Sequence, residues 1–476
     1  MTTNHFDRIY IDGAWVQSES STIPVINPAT EEVIAAVPAG TPADVDRAVT
    51  AARKAFGSWS TTPPAERIKY ISGVADALTV RIEELTDLIS AEMGMPRKQT
   101  GAFQVKGAVA KVSAYLAEAQ RYAWEEPSDG ATVVRHPVGV VAAITPWNAP
   151  LSIAIDKVVA ALLAGCTVVL KPSEVTPLNA WVLAEAIDEA GLPAGVFNLV
   201  SGDVVVGEAM VSHPEVDMIS FTGSTGAGTR IATVAAARSA RILLELGGKS
   251  ANIVLPDADL EQALVTSVTS CFTNSGQICT SPTRLLIDRA RYAEAVERIK
   301  EITEAITVGD PTTDVDLGPL VSAAQRDRVI GYIDKGIAEG ARLLAGGPQA
   351  PEGLTRGYFV RPTVFADVTN SMTIAQEEIF GPVLCVIAYD DEEDAVRIAN
   401  DTAFGLSAMV WSADQDRANR VARRLRTGAV RINGQKAGLN APAGGFKRSG
   451  IGRTNGRFAL DEYVEIQAIA GGEPLV

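Results

Sequence analysis

Val45, Ala48, Val49, Ala52 and Phe56 fall three and four residues apart, which puts them on one face of a helix over residues 42–56. Thr41 and Pro42 suit its start: a threonine hydroxyl accepts from a free backbone N–H, and proline has no N–H to satisfy. Upstream, IYIDGAW and VINPATEEVIAAVPAG read as short strands and turns. Between 138 and 247, apolar runs at 138–144, 168–170, 196–200, 218–221 and 242–246 alternate with helical stretches. Runs that are apolar throughout predict strands buried on both faces, the pattern of a parallel sheet with helical crossovers. A second α/β region follows over about 250–450, with strands at 284–287 and 383–389. Residues 120–137 and the tail from about 455, DEYVEIQAI in particular, alternate in polarity and predict strands that pair with each other or with another subunit.

Residues 136–155 contain no Asp, Glu, Lys or Arg and match a membrane span in length. Pro137, Pro146, Pro150 and Asn148 within them favour strand, turn and helix inside a soluble core instead. Hydrophobic residues at 47% and charged residues at 21% support a large buried core. The net charge of −15 disfavours nucleic acid and anionic lipid as partners. Cys166, Cys271, Cys279 and Cys385 form no C-x-x-C pair, so a reducing compartment is expected rather than a disulfide framework. The start, MTTNHFDRIY, lacks the pattern of a secretory signal, and the expected location is the cytoplasm. His5, His136 and His213 lie in turn-like contexts, and no cysteine/histidine cluster accompanies them, so neither a metal site nor a histidine relay is expected.

Two segments carry candidate chemistry. MISFTG runs into GSTGAGTRIA, placing Gly223, Ser224, Thr225, Gly226 and Gly228 at a strand-to-helix turn whose N–H groups can face a pyrophosphate. GGKS at 247–250 is not a P-loop, because Leu243 stands where the first glycine belongs. Cys279 follows the break Asn274-Ser275-Gly276-Gln277 and precedes a predicted strand, which puts a thiol in a loop between rigid elements. The other cysteines sit in apolar runs and read as buried small hydrophobes. A thiol nucleophile that forms an acyl intermediate needs a base. Glu245, at the end of the strand ILLEL, is placed as strand-end catalytic groups usually are; the other reading of it is a surface carboxylate.

TPWNAP (145–150), KPSE (171–174), FTGST (221–225), LELGGK (244–249), FTNSGQIC (272–279), EEIFGP (377–382) and GGFKRSG (444–450) together resemble the aldehyde dehydrogenase superfamily of NAD(P)-dependent enzymes. The resemblance runs nearly the whole chain. It implies an α/β fold of two Rossmann-like domains plus a small β oligomerisation arm. The NAD-binding domain would span 1–119 and 138–247, the catalytic domain 248–454, and the arm 120–137 and 455–476. Carried over by position, it implies that the Cys279 thiolate attacks an aldehyde carbonyl, with the oxyanion held by the Asn148 side chain and the Cys279 N–H. Hydride would pass to the nicotinamide, and water activated by Glu245 would hydrolyse the thioester. Local electropositive groups, Lys157 among them, would favour the thiolate.

On the same footing, Lys171 and Glu174 would hold the adenosine ribose, with Ser173 beside them. Gly223 and Ser224 would face the pyrophosphate, Glu378 the nicotinamide ribose, and Phe380 the nicotinamide. Pro146 and Trp147 would shape the turn that presents Asn148, Gly247 and Gly248 would allow close backbone approach near Glu245, and Arg284 would anchor a loop. The carboxylate of Glu174 would repel a 2′-phosphate, so NAD is expected rather than NADP. Glu245 favours acid formation over acylation of coenzyme A. Ala149 and Ala443 stand where the family frequently has an aromatic, and Asp156 where it often has tryptophan. With Ile153, Ile278 and Thr280, they imply a wide tunnel for bulky, branched or long-chain aldehydes, with Asp156 itself possible as a solvated carboxylate. A homodimer or homotetramer is expected. The competing readings are a nucleotide-independent thiol hydrolase built on Cys279 and Glu245, and a non-catalytic protein on the same fold.

Overall fold

The computed structural model describes residues 6–472, so His5 and the tail beyond 472 lie outside the described residues. The first predicted helix runs Pro42–Trp59; the Thr41 hydroxyl accepts from Asp44 N, and Val45, Ala48, Val49 and Ala52 are buried. IYIDGAW forms a hairpin, Ile9–Ile11 against Ala14–Val16. Asp12 and Gly13 make its turn with φ of 53° and 75°, the left-handed pair that a tight two-residue turn requires.

Two large sheets organise the chain. The first has eight strands. Its parallel core is Val140–Ile144, Thr167–Lys171, Phe197–Leu199, Met218–Thr222 and Arg241–Glu245, each within two residues of a predicted apolar run. The chain steps outward from Val140–Ile144 through Thr167–Lys171 to Phe197–Leu199. It then returns to lay Met218–Thr222 on the other side of Val140–Ile144. This doubly wound order opens a crevice at the carboxyl ends of the two strands where the winding reverses, the place such folds use for ligands. Gly450–Ile451, from the segment expected in the catalytic domain, instead pairs antiparallel with Leu244 and Glu245 and closes one edge of this first sheet.

The second sheet has seven strands, parallel except where Arg342–Ala345 meets Thr363–Ala366. It contains the expected strands Arg284–Asp288 and Val383–Tyr389. Its strand Ala251–Val254 follows Arg241–Glu245 after only residues 246–250. The carboxyl ends of the first sheet are therefore brought against the amino ends of the second.

Glu125–Ser128, Ala131–Pro137 and Val464–Ala470 form a separate three-stranded antiparallel sheet, so the two alternating segments pair with each other. Two details differ from the sequence reading. Helix Gly107–Arg121 takes the start of the 120–137 segment, and helix Gly456–Glu462 takes the start of the tail. In the latter, Gly456, Ala459 and Leu460 are the buried positions, a helical spacing, and DEYVEIQAI enters its expected strand at Val464. His136 lies inside a strand rather than a turn, its Nε2 2.9 Å from Gln467 Oε1. His213 follows helix Val204–Ser212 as its C-cap. Among the described residues no helix is long and apolar enough to cross a membrane.

Gly450 holds the edge of the first sheet at φ 144°, where a Cβ would lie 2.1 Å from Leu244 O. Gly450→Ala is expected to cost roughly 2 kcal/mol or more in stability. Gly438→Ala, at a position with no heavy atom within 4 Å, is the control. Thermal unfolding of the two variants checks this: Gly450→Ala melts several degrees lower, and Gly438→Ala melts with the parent.

Candidate active site

The turn that carries Cys279 is built from residues that resist regular structure. Helix Leu260–Phe272 ends in a tight turn, Thr273–Gly276, in which Asn274 and Ser275 both have φ of 54°. Left-handed conformation at two successive non-glycine residues is costly and has to be held from outside. Ser275 Oγ donates to Gly318 O at 2.8 Å, and Gln277 Oε1 accepts from Val321 N at 2.9 Å. Gly276, at φ 74°, packs so closely that a Cβ would lie 2.1 Å from Gly381 O. Cys279 emerges three residues later, at the amino end of strand Arg284–Asp288.

Opposite it, the end of Val140–Ile144 turns into helix Pro150–Ala164, with Pro150 at the first helical position. Asn148 lies in this turn. Its Nδ2 donates to Gln277 O at 3.0 Å, tying it to the cysteine loop. Its own carbonyl accepts from Gln104 Nε2 at 3.0 Å and from Asn274 Nδ2 at 3.1 Å. Thr176 Oγ1 donates to Trp147 O at 3.0 Å.

Cys279, Asn148 and Glu245 line one cavity of about 280 Å³, together with Pro146, Trp147, Ile153, Gly223, Ser224, Glu378 and Phe380. Thr222, Leu246, Gly247, Gln325 and Arg328 complete its wall. Glu245 ends strand Arg241–Glu245, and its Oε1 accepts from Thr454 Oγ1 at 2.8 Å. Glu378 Oε1 accepts from Gly248 N at 3.0 Å. The close approach that Gly247 and Gly248 permit is to Glu378 and Cys279 rather than to Glu245. A Cβ on Gly247 would lie 2.1 Å from Glu378 Oε2, and one on Gly248 2.6 Å from Cys279 O. Phe380, at φ 64°, meets Trp147 edge-on with ring centroids 5.2 Å apart.

The residues expected to face the nucleotide sit at neighbouring strand ends. Ser224 caps helix Thr225–Ala236, its Oγ accepting from Ala227 N at 3.3 Å. Gly223 N donates to Glu245 O at 3.0 Å. Lys171 is buried; its Nζ donates to Pro172 O at 3.2 Å and lies 3.6 Å from Glu174 Oε2. Ser173 Oγ accepts from Val175 N at 3.3 Å, and these three residues lie outside the cavity's lining.

The arrangement fits one family. Residues 15–469 match the model of the aldehyde dehydrogenase family. The chain belongs to that family. It is 45% identical over 472 residues to the 3-succinoylsemialdehyde-pyridine dehydrogenase of a Pseudomonas species, covering 98% of this chain and 99% of the relative. Its structure is similar, at TM-score 0.97 and 47% identity, to a variant of aldehyde dehydrogenase C from Pseudomonas syringae crystallised with NAD+ and octanal; the match covers 100% of this chain and 99% of that one. An aldehyde dehydrogenase from Mycobacterium tuberculosis in complex with NAD+ matches at TM-score 0.96 and 44% identity, over 99% of each chain.

Some residues expected in this aldehyde dehydrogenase's site lie elsewhere. Lys157 is fully buried, its Nζ donates to Ser220 Oγ at 3.2 Å, and it is absent from the cavity's lining. Burial lowers its pKa to about 8 while Glu245 and Asp156 oppose that shift, so its field falls on carboxylates. Asp156 is neither solvated nor a cavity wall. It is buried, accepting from Lys111 Nζ at 2.6 Å and Tyr115 OH at 3.1 Å. Of the other tunnel residues, Ile153 lines the cavity, while Ala149, Ile278 and Thr280 are half-buried beside Asn148 and Cys279. Ala443 forms a backbone bridge to Thr454. Arg284 is the expected anchor: buried, it donates to the carbonyls of Lys249, Ile398 and Ala399.

Three polar neighbours of the cavity residues escaped the sequence reading. Gln325 donates to Phe380 O at 2.7 Å and Arg328 to Glu378 O at 2.6 Å, both from helix Ala323–Ala338. Polar residues on such a helix look like an ordinary solvated face. Thr454 carried no sequence signal either.

The thiol's surroundings also differ from expectation. Burial first, then the carboxylates of Glu378 and Glu245, push Cys279 up to about 12, so the thiol is protonated at neutral pH without nucleotide. Iodoacetamide is therefore expected to alkylate Cys279 slowly in the nucleotide-free protein, accelerating about tenfold per pH unit between pH 7 and 10. Glu378→Gln or Glu245→Gln removes an opposing negative charge and is expected to speed alkylation at pH 8. Mass spectrometry of the labelled protein measures both; a rate that levels off below pH 9 contradicts the assignment.

Proposed function

We propose that this chain oxidises an aldehyde to the carboxylic acid with NAD as hydride acceptor. The observation that carries the proposal is the convergence of Cys279, Asn148 and Glu245 on one cavity that reaches the strand-to-helix turn at Gly223 and Ser224. The residues present fit the nucleotide. The buried Thr222 Oγ1 has no partner within the protein, Ser224 opens a helix whose first N–H groups face anions well, and the crevice lies where the sheet's winding reverses. Gly223 and Ser224 would hold the pyrophosphate, Lys171, Ser173 and Glu174 the adenosine ribose, Glu378 the nicotinamide ribose, and Pro146, Trp147 and Phe380 the nicotinamide end. When bound, NAD supplies a hydride acceptor and a positive charge.

This chain's residues do the rest. Cys279, once deprotonated, attacks the aldehyde carbon to give a thiohemiacetal. The second N–H of the Asn148 amide, whose first is committed to Gln277 O, and the Cys279 backbone N–H are aimed at the oxyanion. Loss of hydride leaves a thioester on Cys279. Glu245, oriented by the Thr454 hydroxyl, takes a proton from the water that hydrolyses it. Glu174, half-buried beside Lys171, disfavours the 2′-phosphate of NADP.

The absence of aromatic side chains at Ala149, Ile153, Ile278, Thr280 and Ala443 favours large aldehydes. The octanal bound to the Pseudomonas syringae relative supports that preference. The three-stranded sheet ends in strand Val464–Ala470, whose Ile466 is 69% exposed. That apolar edge supports a homodimer or homotetramer. Free cysteines suit a reducing cytoplasm.

Reduced-cofactor absorbance across short, aromatic and long-chain aldehydes, with NAD and with NADP, tests the reaction. NAD turnover strongest with long or bulky aldehydes is expected, and preference for the smallest aldehyde contradicts the tunnel. Cys279→Ala is expected to abolish turnover. Glu245→Gln is expected to lower it by about 10²–10⁴-fold with the acyl-enzyme accumulating. Ester cleavage that proceeds equally well without nucleotide, and no aldehyde oxidation, would favour a hydrolase. Sedimentation at micromolar concentration is expected to give two or four times the chain mass, and a monomer refutes the assembly.

A further inference from the structure

The carbonyl of Asn148 is gripped from two directions by side chains that themselves do not line the cavity. One is Asn274, from the left-handed turn before Cys279. The other is Gln104, from a π-helical segment, Thr100–Lys106, that interrupts the helical run between Arg97–Gln99 and Gly107–Arg121. A π-turn adds a residue to the turn and rotates the side chains that follow, and such turns occur frequently at functional sites. Here Gln104 is 1% exposed while its neighbour Phe103 is 52% exposed, so the segment drives an amide into the interior and leaves an aromatic outside.

One N–H of the Gln104 amide points to Asn148 O at 3.0 Å; Met93 Sδ and Met95 Sδ lie 3.8 Å from the same nitrogen. Asn274 Nδ2 repeats the pattern, 3.1 Å from Asn148 O and 3.9 Å from Met93 Sδ. Gln104 Oε1 and Asn274 Oδ1 are buried with no partner in the protein. Leaving a buried amide oxygen unpaired is unfavourable, so these two amides sit here at a cost to stability. Their shared product is a fixed 148 carbonyl. With the carbonyl held on one side and Nδ2 held by Gln277 O on the other, the Asn148 amide has little freedom to turn away from Cys279. Donors that stabilise developing charge are effective because they are already oriented before the charge appears.

We infer that Gln104 is a positioning residue for the oxyanion amide, acting through the Asn148 carbonyl. The inference rests on the aldehyde-oxidising reading above, in which Asn148 stabilises the oxyanion. Gln104 touches neither the thiol nor the cavity, so its effect should reach the reaction only through Asn148.

The test is a double-mutant cycle on the full-length protein with NAD and a long-chain aldehyde. Gln104→Met keeps the volume and joins the two neighbouring methionines. It is expected to lower kcat about tenfold, with KM for aldehyde and NAD changed less than threefold. In an Asn148→Ala background the same substitution is expected to change kcat by less than about twofold, because the group it positions is gone. A second variant, Gln104→Glu, faces the carbonyl with a carboxylate when ionised and with an O–H donor when protonated. Its kcat relative to the parent is expected to rise as pH falls. Undiminished kcat in Gln104→Met, an equal loss in the Asn148→Ala background, or a Gln104→Glu pH profile identical to the parent's each overturns the inference. A parent that oxidises no aldehyde, or an Asn148→Ala variant with full kcat, defeats the underlying reading instead.

Discussion

Everything at this site depends on joining the carboxyl ends of one parallel sheet to the amino ends of another through residues 246–250. So short a link leaves no room for side chains at its centre. Gly247 and Gly248 lie against the Glu378 carboxylate and the Cys279 carbonyl, and a Cβ on either would occupy their space. That absence of side chains lets a strand-end carboxylate from the first sheet, a thiol from a loop of the second and a second carboxylate from the segment before Val383–Tyr389 share one cavity. Gly450, paired beside Glu245, extends the same economy to the outer edge.

Hydrogen bonds to main-chain carbonyls then fix what the junction brings together. Arg284 gathers the carbonyl of Lys249 and two from the last turn of helix Glu392–Asn400, Arg328 and Gln325 hold the Glu378–Phe380 backbone, and Gln104 with Asn274 holds Asn148. Because these donors grip backbone, the side chains on the gripped residues remain free to face the cavity. The electrostatics run the other way: burial, Glu378 and Glu245 all disfavour the Cys279 thiolate. The resting protein thus keeps the Cys279 thiol protonated, and the buried Lys157 spends its hydrogen bond on the Ser220 hydroxyl, with Glu245 and Asp156 as the charges that act on it.

Much was legible in the sequence because it is local. Apolar runs marked the parallel strands, and the Thr41-Pro42 pair marked a helix start. The break before Cys279 singled out that cysteine from three that are buried. Where two local patterns competed, the reading slipped. Helical spacing of Gly456, Ala459 and Leu460 runs directly into the alternating stretch, and the reading carried the strand back over helix Gly456–Glu462. Gln104 left a weaker trace: four residues before Ala108, it continues the buried face of Gly107–Arg121, where a polar side chain asks for a partner.

The sequence alone determined which groups stand as candidates for the proposed chemistry: one loop cysteine, one strand-end glutamate, one amide after a proline turn, and glycines where backbone must come close. The cysteine and the glutamate follow from residue type and short-range spacing, which every sequence displays, and the amide and the close-packed glycines from the resemblance to the family. Only the tertiary structure decided that Asp156 is buried against Lys111, that Lys157 is buried on Ser220 outside the cavity's lining, and that Thr454, Gln325 and Arg328 join the site. Those outcomes depend on contacts between residues far apart in the chain, and no local pattern encodes which distant partner a buried polar group will find.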